Sequence, residues 1–301
     1  MYGDEAQASR LYADATNMLN GLPADIGESD QADRYNELKA QAEELNQKLN
    51  KVEKANVSSL ATLGNGSNLI NLPNYFAVEV NRTIIAYQKP AKQIQDDVLK
   101  SSEPIVDSTA LNSNLAAIYN GSELFVWDYE DDIVTGRFTT GVPSGSSFGG
   151  MKTYATNNRV YILDKSTGEV KNFNTGNRTF TAGTVSAKDD AFKNGSDLAI
   201  DGNIYVATGG TILKYNSGAK QEFNIGISGL SGTTKLFTQN DFANLYVLDS
   251  GNKRVIILGK TGALVKTLNS DKFTELKDLA VDEKARSIYV LNGSELLEVK
   301  F

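Results

Sequence analysis

Carboxylates are the reactive groups this sequence repeats. Asp201 closes the motif Asp197-Leu198-Ala199-Ile200-Asp201, and Asp282 closes its copy, Asp278-Leu279-Ala280-Val281-Asp282. Two such acids brought to a common axis, with Asn or further Asp side chains beside them, would give a hard cation such as calcium its oxygen ligands. The same residues suit tight turns, where Asp accepts hydrogen bonds from its own backbone. The run Glu130-Asp131-Asp132 has the same two readings, a calcium-binding segment or a solvated acidic turn. Turn chemistry explains both without a metal, so no cofactor is assigned, and calcium held by Asp201 and Asp282 is kept as the alternative.

Composition excludes several other mechanisms. The 301 residues include no His and no Cys, which removes imidazole bases, Ser-His-Asp and Cys-His nucleophiles, thiolate metal sites and disulfides. No glycine-rich loop follows a strand and opens a helix as a phosphate cradle requires. The formal net charge is −7, but residues 1–56 carry 11 acids against 6 bases while the rest carries 26 against 24. A body with nearly balanced charge and no basic stripe is not built to neutralise phosphates, so nucleic acid is not the expected ligand. No apolar run reaches the ~18 residues of a membrane span, and the first five residues lack the order of a signal peptide.

The elements that must position any site are repeats. Besides the Asp-Leu-Ala motif, Asn120-Gly121-Ser122-Glu123-Leu124 recurs as Asn292-Gly293-Ser294-Glu295-Leu296, and Arg159 to Lys171 is mirrored by Arg254 to Lys266. Each unit reads as four short strands joined by Asn- and Gly-rich turns, which accept the positive φ of tight hairpins. Apolar anchors assigned to the third strand fall at Tyr87, Trp127, Leu163, Tyr215, Leu258 and Val299. This spacing gives six units of roughly 40 residues, the size of a four-stranded propeller blade. Tyr205, Tyr246 and Tyr289 in the second strands are expected in the seams between blades.

The sixth unit ends at Phe301 after three strands, and an unpaired strand there would expose a row of backbone donors and acceptors. Residues 57–63 are expected to supply the missing outer strand by pairing with residues 296–300. Ahead of them, Tyr35, Leu38, Ala42, Leu45, Leu49 and Val52 recur at spacings of three and four, and Leu11, Ala15, Met18, Leu19 and Leu22 form a shorter stripe. This is a helical hairpin with a loop near residues 21–29 and a cap at Ser29 or Asp30. The expected fold is therefore all-β: a six-bladed β-propeller over 56–301, its ring closed by an N-terminal strand in the last blade, preceded by an α-helical hairpin over 1–55.

Two stretches are longer than the repeat requires, Gly136 to Gly150 and Gly176 to Gly195. Read as blade-to-blade connections, both rise from one face of the ring. They carry aromatic and charged residues suited to a macromolecular partner, and Arg137, Phe148, Arg178, Phe180, Lys188 and Asp189 are the binding candidates.

The stretch Asp197 to Val206 and the stretch Asp249-Ser250-Gly251-Asn252-Lys253-Arg254-Val255 resemble the NHL-type family of six-bladed propellers, over about residues 68–301. The resemblance implies the fold more than an activity, since propellers host unrelated functions. The wider group includes sensor domains outside bacterial cells, protein- and RNA-binding modules and calcium-dependent lactonases. The expected function is a non-catalytic recognition or sensor domain at a bacterial cell surface, binding a protein or other macromolecule through one propeller face. The expectation includes a membrane anchor upstream of this chain and self-association through the hairpin. The alternative is a calcium-dependent lactonase-like hydrolase.

Overall fold

Leu245 and Val247 point one way from their strand and Tyr246 and Leu248 the other, yet all four are fully buried. A strand apolar on both faces must lie in a sheet covered on both sides. The chain meets this demand by stacking its sheets face to face around an axis. The structure, a computed structural model, describes residues 11–12, 14–22, 30–101, 103–227 and 229–301.

Six antiparallel sheets follow one another along the chain, the first between Leu69 and Lys100, the second between Asp107 and Phe138 and the third between Phe148 and Lys188. The fourth lies between Gly195 and Gln221, the fifth between Thr234 and Asn269 and the sixth between Leu276 and Lys300. The first strand of each packs beside the first strands of both neighbours, all the way round. Each seam between blades holds its own apolar cluster. Tyr205 and Leu245 meet between blades four and five, Tyr246 and Leu279 between five and six, and Tyr289 and Phe76 between six and one with ring centroids 4.3 Å apart. Each fully buried aliphatic or aromatic side chain is worth about 1.5–3 kcal/mol relative to exposure, so the seams hold the ring together.

The ring closes as expected. Asn56–Thr62 pairs antiparallel with Glu295–Lys300, matching Val57 to Val299 and Ser59 to Leu297, and becomes the outer strand of blade six. Val52–Lys54 adds a parallel fifth strand to blade five, opposite Thr267 to Asn269. The chain therefore straps two neighbouring blades before it enters the ring.

Ahead of the strap runs the helix Asp30–Leu49, and residues 14–20 are also helical. Residues 23–29, which hold most of the expected hairpin loop and the Ser29 cap, lie outside the described residues. On the expected stripe, Leu38 and Leu45 are exposed.

One register expectation is corrected. Leu163 belongs to Arg159–Asp164, the second strand of blade three, whereas Leu258 belongs to Arg254–Gly259, the third strand of blade five. The third strand of blade three is Glu169–Asn174, with Phe173 buried. The two segments match because any two consecutive hairpins in a blade share one grammar, an apolar strand and a tight turn. Sequence similarity alone cannot tell a second-to-third hairpin from a third-to-fourth one.

Truncation tests the closure. Deleting residues 1–54 removes the described helical residues and the fifth strand of blade five and should leave a single cooperative melt. Deleting 1–66 also strips the outer strand from blade six and removes Leu63, which is 1 % exposed, and should lower the melting temperature sharply or cause aggregation. Equal melting temperatures for the two would contradict the closure.

Candidate functional site

Connectivity decides which residues share a face. Each outer strand hands over to the first residue of the next inner strand. Blade-to-blade connections and turns between second and third strands therefore lie on one side, here called the connection face. The other turns form the far face. At the connection face all six blades line a cavity of about 680 Å³, with Asn65, Ser67, Ser196, Thr233 and Ser250 among its polar walls. A second cavity of about 420 Å³ opens at the far face and includes Lys152, Tyr154 and Asn240.

Between the two mouths, six homologous positions ring the axis: Asn68, Asp107, Gly150, Asp197, Lys235 and Asp278. The register places Asp107 opposite Tyr119, Gly150 opposite Leu163, Asp197 opposite Ala207, Lys235 opposite Leu248 and Asp278 opposite Leu291. Acids thus occupy alternate blades. Each reaches across a seam to the main chain of the next blade: Met151 N–H donates to Asp107 Oδ2 at 3.0 Å, Leu236 N–H to Asp197 Oδ2 at 2.8 Å, and Leu69 N–H to Asp278 Oδ2 at 2.8 Å. Gly150 is required by this packing, because a Cβ there would lie 2.6 Å from Asp197 Oδ1.

Two lysines balance the acids. Lys152 Nζ lies 3.6 Å from Asp197 Oδ2, and Lys235 Nζ donates to Asn68 Oδ1 at 3.3 Å. Burial opposes the charge on both, but the surrounding Asp197, Asp278 and Asp107 overcome it and hold both ammonium groups above their ordinary value. Asp107 is pushed up to about 6 by burial, with Lys235 and Lys152 pulling it back.

Glu79 breaks the pattern. It follows Val78, the partner of Leu69, and so lies opposite Asn68. The other five blades have Tyr119, Leu163, Ala207, Leu248 and Leu291 at this second-strand position. Glu79 is 1 % exposed, lines the connection-face cavity, and neither carboxyl oxygen has a partner among the described residues. Burial first, and then Asp107, push its carboxyl well above the usual range. Lys165 lines the same cavity, half-buried.

The sequence-derived candidates are divided between the faces. Gly176 to Gly195 is not one connection: residues 175–184 join the third and fourth strands of blade three, Val185–Lys188 is its outer strand, and Asp190–Asn194 forms the turn to blade four. Arg178 and Phe180 consequently lie on the far-face side, where Arg178 pairs with Asp128 at 2.7 Å and Phe180 is 2 % exposed in the seam between blades two and three. Exchanging Phe180 for Ser would remove core packing. Arg137, Phe148, Lys188 and Asp189 lie toward the connection face. Arg137 pairs with Glu123, Lys188 with Glu169 at 2.9 Å, and Asp189 caps Ala191 N and meets Lys220 at 3.4 Å. Only Phe148 of this set lines the cavity, stacked on Tyr119 with centroids 4.5 Å apart.

Asp201 and Asp282 are not brought together. Asp201 follows blade four's inner strand, Gly195–Ile200, on the far-face side, where Lys260 Nζ donates to it at 2.6 Å and Asn203 and Tyr205 donate as well. Asp282 accepts from Ala285 N in the turn of blade six. With an ammonium seated on one carboxylate, this pair does not assemble a cation's ligand set. The acids that these two motifs bring to the axis are their first residues, Asp197 and Asp278.

The fold and its axis define a six-bladed β-propeller. No family model and no curated protein matches the chain. Solved structures that resemble it do so at the level of fold. An auxiliary nutrient binding protein from Bacteroides thetaiotaomicron superposes with TM-score 0.55 at 12 % identity, covering 79 % of this chain and 69 % of that one. Streptogramin B lyase superposes with TM-score 0.56 at 10 % identity, covering 82 % and 97 %, and a chain of the nidogen/laminin complex with 0.55 at 13 %, covering 71 % and 83 %.

The axial charge makes a pH prediction. Asp107 titrates near 6 in the folded chain and near 3.8 when unfolded, so between these values the folded chain holds a proton the unfolded chain has lost. Stability contributed by this group is complete below about pH 4, falls as pH rises to about 6, and is flat above. Asp107→Asn removes the effect, so its unfolding free energy relative to the parent should rise by up to ~3 kcal/mol between pH 4 and 7 in urea titrations. Parallel profiles for the two proteins would contradict it.

Proposed function

We propose that this propeller is a non-catalytic recognition domain displayed outside the cell. Its connection face binds a macromolecular ligand and draws one polar group of that ligand into the axial cavity against Glu79. The carrying observation is Glu79 itself. A buried carboxyl without partners costs roughly 1–3 kcal/mol, and five other blades avoid that cost at the same position. A group retained against the stability of the ring is a candidate for function. The other axial carboxylates each hold a backbone N–H of the next blade through one oxygen, whereas neither oxygen of Glu79 has a partner among the described residues. Lys165 and the Ser, Thr and Asn walls add donors and acceptors that orient a polar guest. The resemblance in fold to a nutrient binding protein and to a chain of the nidogen/laminin complex supports a binding role. Display outside the cell agrees with a sequence rich in Asn, Ser, Thr and Gly.

Glu79→Leu tests the reading, because leucine is the residue of three sister blades. The variant should melt at a higher temperature than the parent. In a thermal-shift screen of oligosaccharides, amines and peptides, a compound that stabilises the parent should fail to stabilise the variant and should be recovered chemically unchanged. A variant that binds the same compound equally well, or a compound converted on incubation, would overturn the proposal.

A further inference from the structure

On the far-face side of the seam between blades one and two, a slot of about 260 Å³ has no part in the axial site. Tyr75 and Tyr129 meet edge to face across it, with centroids 5.4 Å apart, and Tyr129 packs against Trp127 at 6.0 Å. Tyr129 is held in place by its hydroxyl, which donates to Ser113 O. Gln95, Glu130 and Asp132 complete the walls.

Two needs of this slot are unmet within the chain. Trp127 is 2 % exposed, and its Nε1–H has no acceptor among the described residues. An indole N–H buried in this way ordinarily finds a partner. At the rim, Glu130, Asp131 and Asp132 are consecutive acids, and none of them has an ion pair among the described residues. Glu130 accepts only from the neutral Asn114, at 2.5 Å. A ligand that fits must bring a hydrogen-bond acceptor for Trp127, a cation for the rim, and a flat surface that can lie against a tyrosine ring.

We propose that the slot binds an arginine-containing extended peptide segment of a partner protein. The guanidinium packs against the Tyr75–Tyr129 pair and pairs with Glu130 and Asp132, and a peptide carbonyl accepts from Trp127 Nε1–H. Arginine fits better than lysine because its planar head stacks on aromatic faces and matches carboxylates in pairs. A peptide supplies acceptor and cation a few ångströms apart, which neither a lone amine nor an anionic ligand does. The slot opens on the far-face side, whereas Glu79 lines the connection-face cavity, so the two proposals are tested separately.

Trp127 is the sole tryptophan of the chain, so its emission reads the slot directly. The full chain is titrated with a blocked hexapeptide of alternating Gly and Arg, with the Gly and Glu counterpart, and with a neutral hexasaccharide. The arginine peptide should change the emission saturably, with an affinity that weakens as salt rises. Glu130→Gln combined with Asp132→Asn, both exposed positions, should weaken it at least tenfold at unchanged melting temperature, while Glu79→Leu should leave it intact. No emission change with the arginine peptide, an equal affinity in the double variant, or a response to the glutamate peptide or the saccharide alone would overturn the proposal.

Discussion

Six sheets can share an axis only if the main chain there finds hydrogen-bond partners across the seams. The inner strand of each blade has its second strand on one side and the axis on the other, so its axis-facing N–H groups have no strand to pair with. Asp107, Asp197 and Asp278 solve this in alternate blades by accepting from Met151, Leu236 and Leu69 of the next blade. Carboxylates suit the task because charge-assisted hydrogen bonds are roughly twice as strong as neutral ones. They also have to be neutralised, which Lys152 and Lys235 do from within the same girdle. Buried charge of this kind is tolerated only when every member is paired, and removal of one leaves the others exposed to the full desolvation cost.

The girdle in turn limits what the propeller can do. A central acid already holding a backbone amide is poorly placed to ligate a cation or move a proton. Asp201, outside the girdle, is held by Lys260, Asn203 and Tyr205. The walls of the connection-face cavity also carry Glu79, Lys165, Glu275, Lys277 and neutral hydroxyls and amides.

The strand grammar was legible because turn residues and two-faced apolar runs are local properties, and the missing outer strand followed from a count of strands at Phe301. What was not legible depended on register. The Asp-Leu-Ala repeat is visible in the sequence, which offers its last acid, Asp201 or Asp282, for the axis as readily as its first, yet it is the first, Asp197 and Asp278, that reaches the axis. Strand alternation places both on one face and does not say which end meets the neighbouring blade. Phe180 looked like a surface anchor because the loop around it is long, yet it packs into the seam with Phe173. Glu79 was missed for a related reason. Its oddity appears only when blade one is aligned with the other five, and blade one matches them weakly in sequence.

The central claim is that the ring is locked by three carboxylate-to-amide hydrogen bonds across alternate seams. Native-state hydrogen exchange, resolved by amide in nuclear magnetic resonance, reads those donors one at a time. The account predicts that the amides of Leu69, Met151 and Leu236 exchange only through global unfolding, with protection equal to the most protected amides of the second strands. Exchange at these three amides as fast as in the surrounding connections would show that the axis opens independently of the blades, and would contradict it.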